Sequence, residues 1–121
     1  MVGVDISGRH EEDGEYLMVA AAVHARIDST RIRSVEGMGF AAVREGPTLD
    51  ATVELVAAAV GDLPEPPDGP IVAEHGEFYG EPAERVGLSI RPEFKYVESI
   101  AERETVQAAH HAAYAARDLL L

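Results

Sequence analysis

The stretch Val2-Gly3-Val4-Asp5-Ile6-Ser7-Gly8-Arg9, followed after a polar turn by Met18-Val19-Ala20-Ala21-Ala22-Val23, decides the fold class. Val2, Val4 and Ile6 alternate with Gly3 and Asp5, the period-two pattern of a strand over residues 1–7. Within the polar residues 8–15, Asp13-Gly14 is a strong hairpin signal. Residues 16–25 are apolar on both faces, as a strand in the middle of a sheet must be. The two segments are therefore expected to pair antiparallel, with Asp5 on the opposite face from the valines.

Working outward, residues 34–44 alternate imperfectly around Val35, Met38, Phe40 and Val43, and Gly37 and Gly39 suggest a bulge in a third strand. Pro47-Thr48 ends it. Leu49, Val53, Val56 and Val60 recur at helical spacing and predict a helix over residues 49–62. Four prolines within residues 64–70 remove too many amide donors for helix or central strand, so this is a connection. Ile71-Val72-Ala73 reads as a short buried strand ending at Glu74, and Glu81-Pro82 as the start of helical turns through Val86. Residues 88–90 and 94–97 read as a further short strand interrupted at Pro92. Ser99-Ile100-Ala101-Glu102 has capping-box spacing and opens an Ala-rich helix running to Leu121. The order predicts one α/β domain over residues 1–121, a mixed sheet with antiparallel first strands and flanking helices.

The chain of 121 residues is 46% hydrophobic, enough to fill one core, and has no cysteine. Disulfides, thiolate metal sites and cysteine nucleophiles are thereby excluded. There is no apolar run of membrane-spanning length and no leader pattern, so a cytoplasmic location is expected. Twenty-two acidic against ten basic residues give a net charge of −12, and Lys95 is the only lysine. The composition resembles proteins of salt-accumulating archaea, and at low salt it disfavours binding to phosphate backbones.

The opening hairpin resembles that of ribonuclease HII, whose pattern is G-V-D-E-A-G-R-G followed by an apolar V-A-A-V strand. Glu93-Phe94-Lys95-Tyr96 and Ser99-Ile100-Ala101-Glu102 are similar to that family's D-x-K-Y and A-A-S-I segments, with shorter spacing between them. The chain also resembles a small archaeal family of unassigned function with a ribonuclease H-like fold. The resemblance implies a ribonuclease H-like domain and two magnesium or manganese ions held between carboxylates. Carried across, it makes Asp5, Glu74 and Glu93 the metal ligands and catalytic carboxylates, with Gly8 and Arg9 beside the scissile phosphate of a nucleic acid. Two positions depart from the pattern: Ile6 replaces a glutamate and His10 replaces a glycine.

Bland alternatives stand beside these roles. Asp5 also suits a strand end that satisfies backbone donors, and Glu74 and Glu93 suit solvated loops in so acidic a chain. His10-Glu11-Glu12-Asp13 is an acidic turn whose side chains point apart, and the adjacent His110 and His111 fit a helix face better than one ion. No histidine completes a nucleophile elbow with Asp5 and Ser7. Val106, Ala109, Ala113 and Ala116 form a small-residue stripe suited either to packing on the sheet or to a homodimer seam through the C-terminal helix. Two functions follow: a divalent-metal-dependent phosphodiesterase, or a catalytically inactive ribonuclease H-like binding or assembly module, expected to be dimeric.

Overall fold

The structure, a computed structural model, describes residues 1–91 and 93–121. Strand β1 (Val2–Ser7) runs up the middle of the sheet and pairs antiparallel with β2 (Met18–Ile27) in the register Asp5 to Ala21. The turn between them forms at Asp13-Gly14, where both residues have positive φ (53° and 80°). That is the backbone a two-residue hairpin turn demands, and Glu12 and Glu15 pair across it. β3 (Ile32–Val43) continues the antiparallel order. Its ladder with β2 is regular from Gly37 to Val43 and shifts register beyond, since His24 faces Gly37 and Ala25 faces Val35. This is the bulge that the glycines suggest.

Helix α1 (Leu49–Gly61) is capped by Thr48, whose Oγ1 accepts the Ala51 amide at 3.1 Å. It carries the chain back across β1 to β4 (Ile71–Ala73), which pairs with β1 in parallel, Val2 beside Ile71 and Gly3 beside Val72. Helix α2 (Ala83–Gly87) and β5 (Lys95–Tyr96) follow, β5 lying parallel to β4. The complete order is β3-β2-β1-β4-β5, a five-stranded mixed sheet flanked by helices. The expected strand over residues 88–90 does not form: Leu88 closes α2, its amide bonded to the Arg85 carbonyl, and its side chain lies in solvent. The interruption expected at Pro92 lies outside the described residues.

Helix α3 (Ile100–Leu120) begins with the predicted capping box: Ser99 Oγ accepts the Glu102 amide, and Glu102 Oε1 accepts the Ser99 amide. One core, built on Val2, Val4, Ile6, Val56 and Phe78, fills the space under α1. On the other face α3 covers β1 and β2, with Ala109 and Ala113 against Ala21, Val23 and Ala25, and Val106 against Val72. Val106, Ala109 and Ala113 of the small-residue stripe are therefore spent on this chain's own sheet. Among the described residues no helix is long and apolar enough to cross a membrane.

Candidate functional site

The strand order reverses its sense of progress between β1 and β4. From β1 the chain proceeds to β2 and β3 on one side, then crosses to β4 and β5 on the other. In open α/β sheets such a reversal leaves a crevice at the carboxyl ends of the two strands, where ligands settle. Asp5 lies in the carboxyl half of β1, turned toward α3, and is 8% exposed. Its Oδ2 pairs with His110 Nδ1 of α3 at 2.8 Å, and the His110 ring is half-exposed.

The second carboxyl of the site comes from the segment after β4. Residues 74–82 fold back in a series of turns, with the Glu77 amide bonded to the Glu74 carbonyl and the Glu81 amide to that of Phe78. Phe78 is fully buried and acts as the anchor. Two further bonds hold the segment against β5 and its exit: His75 Nε2 pairs with the Val97 carbonyl at 2.9 Å, and the Tyr96 hydroxyl donates to the Glu81 carbonyl at 2.6 Å. Glu77, 7% exposed, thereby reaches Asp5. Burial pushes the Glu77 carboxyl up to about 8, helped by the charge of Asp5 and a hydrogen bond with it and opposed by Arg9. Burial and the neighbouring Asp5 carboxyl thus both favour the protonated form of Glu77.

Arg9 closes the cluster. Its Nη2 donates to Glu77 Oε1 at 2.7 Å and to the Glu77 carbonyl at 2.8 Å, while Nη1 donates to the Tyr79 hydroxyl at 3.1 Å. The guanidinium also lies 5.6 Å from the centre of the Tyr79 ring. Tyr79 adopts φ 57°, an uncommon conformation for an aromatic residue, and its ring is exposed. Gly8 has φ +98°, and a Cβ there would collide with the Leu17 carbonyl and the Arg117 side chain. Gly8 is thus required by the chain's own packing, which turns Arg9 toward Glu77.

Of the residues marked out by sequence, Asp5 and Arg9 meet in this cluster through Glu77. Glu74, one residue past β4, pairs with Arg103 of α3 at 3.2 Å, and half-exposed Glu93 pairs with Arg91 at 3.4 Å. Among the described residues no three of His, Asp and Glu gather as ligands of one ion. Ile6, where the nuclease pattern has a glutamate, packs in the α1-side core. The residues present therefore do not fit a two-ion carboxylate array. Glu77, Tyr79 and His110 escape sequence reasoning; the available signal for Glu77 is its position beside Phe78, an isolated large apolar residue in a polar stretch.

The chain is thus a mixed α/β protein with a buried acid pair at its topological switch point. It belongs to the family described as "Uncharacterized protein conserved in archaea (DUF2209)", which matches residues 2–121. It is 30% identical over 122 residues to "Uncharacterized protein MJ0095" of Methanocaldococcus jannaschii, a match covering 99% of this chain and 95% of that protein. No solved structure matches it.

Proposed function

We propose that the protein is a ribonuclease H-like domain that serves as a binding or assembly module and does not cut phosphodiesters by two-metal chemistry. Three antiparallel strands followed by two parallel ones, with an acid on the central strand, support the ribonuclease H-like reading. The observation that carries the functional reading is the clamp on Asp5's partner: Arg9 Nη2 holds the buried Glu77 through its Oε1 at 2.7 Å and its carbonyl at 2.8 Å. A divalent ion at this pair would have to displace Arg9 from Glu77, and Glu74 and Glu93 are paired elsewhere with arginines. The exposed Tyr79 ring and the half-exposed His110 ring beside the cluster are the groups this reading assigns to ligand contact.

The competing reading is a magnesium- or manganese-dependent phosphodiesterase, which the direct approach of Asp5 and Glu77 favours. One assay separates them. Magnesium and manganese are titrated at high salt against an RNA–DNA hybrid and single strands, with Asp5→Asn as control, and thermal melting is followed in parallel. The binding-module reading predicts no cleavage and no metal-dependent rise in Tm, since an ion bound to the native state would raise it. Cleavage by the natural chain that disappears in Asp5→Asn would establish the phosphodiesterase instead.

A further inference from the structure

The two edges of the sheet are unlike. β5 is two residues long and carries Lys95, a protected edge. β3 is twelve residues long and borders solvent, and between Glu36 and Arg44 it reads Gly-Met-Gly-Phe-Ala-Ala-Val, without charge or proline in a chain that is 26% charged. Val35, Met38 and Phe40 are 52%, 41% and 38% exposed. Met38 and Phe40 stand opposite Val23 and Ala21, so they lie on the α3 face, but α3 packs chiefly on β1 and β2 and leaves them partly exposed. Residues 37–43, regular and uncharged, are a template for another strand.

We propose that this edge pairs with a second copy of the chain, β3 antiparallel to β3 about a two-fold axis at Phe40, making one continuous ten-stranded sheet. The regular part of the β2–β3 ladder, residues 37–43, is itself centred on Phe40. This register sets Phe40 against the partner's Phe40 and Met38 against the partner's Ala42, and it places Glu36 across from the partner's Arg44 on both sides of the axis. Glu36, which lies 3.5 Å from Arg26 of its own chain, and Arg44 thus bring opposite charges together at both ends of the uncharged stretch, as a self-complementary two-fold interface requires. Leu120 lines a hollow of about 240 Å³ with Leu17, Ala42 and Val43, and the partner's Met38 falls beside it. Asp62 is the gate: its Oδ2 accepts the Phe40 amide at 2.9 Å and must release it for the strands to join.

The test uses light scattering and cysteine crosslinking at about 1 M salt, where screening shortens the range of repulsion between two acidic chains to about 3 Å. The natural chain is expected to have the mass of two chains, Phe40→Lys the mass of one with unchanged circular dichroism, and Asp62→Ala a tighter dimer. The chain has no cysteine, so introduced thiols report without background. Paired strand residues about 5.5 Å apart at Cα lie within disulfide reach. Phe40→Cys, and Met38→Cys combined with Ala42→Cys, are expected to form covalent dimers on oxidation, while Leu119→Cys is not. A single-chain mass for the natural protein, or crosslinking through Leu119→Cys instead of position 40, overturns the proposal. Either result leaves the reading of the Asp5 site where it was, so the two proposals fail separately.

Discussion

At the residue scale, the buried acid pair makes stability depend on pH with a definite sign. Glu77 has its carboxyl raised from 4.5 to about 8, so between those values the folded state holds a proton that the unfolded chain has lost. Stability therefore falls as pH rises across that window, by up to about 1.4 kcal/mol per unit, and levels off above about 8. Urea unfolding at pH 5, 7 and 9 checks this, and Glu77→Gln, which keeps shape and hydrogen bonding without the proton, is expected to flatten the profile. Arg9→Ala leaves the Glu77 carbonyl and carboxyl without this donor and is expected to cost about 2 kcal/mol in the same urea unfolding. Sequence reading placed Arg9 beside a substrate phosphate; the distance to Glu77 makes it first a clamp within the protein. Glu77 was illegible because only its place beside Phe78 sets it apart from the other acids of so acidic a chain.

At the scale of elements, α3 joins both strand systems and begins at one device with two duties. Glu102 closes the capping box and takes the Lys95 ammonium at 2.9 Å, linking the helix to β5. Burial pulls its carboxyl upward, but Lys95 and the amides of Glu98 and Ser99 outweigh it and leave it below its ordinary value. Its stabilising share is thus present above pH 4.5 and lost as pH falls through the lowered value, opposite in sense to Glu77. Ser99→Ala removes only the cap to the Glu102 amide and is expected to cost about 1 kcal/mol in chemical denaturation. Gly8→Ala, by contrast, meets the Leu17 carbonyl and a positive φ together and is expected to cost about 3 kcal/mol by the same measurement. The capping box, the Asp13-Gly14 turn and the first three strands were legible because each rests on contacts close in sequence. The strand expected at residues 88–90 was not, because two apolar residues around a serine fit a helix end as well as a strand.

At the scale of the whole molecule, a net charge of −12 on 121 residues works against compactness, and the expected outcome is a Tm that rises with added sodium chloride. A Tm independent of salt from about 0.05 to 1 M would show that local pairs, not the summed field, govern stability. The same charge explains why the uncharged stretch of β3 stands out as the surface where two chains can meet. By itself the sequence determined the α/β class, the hairpin that founds the sheet, the helices, the Ser99 cap, and Asp5 as the acid of the first strand. These are written in periodicity and in short-range hydrogen bonds. Only the tertiary structure decided which acid stands beside Asp5, that His110 serves it from a helix 105 residues away, and that the alanine stripe faces its own sheet. The reason is physical: periodicity specifies which side of an element is buried, whereas the partner of a buried charge depends on how the turns after β4 fold back toward the end of β1.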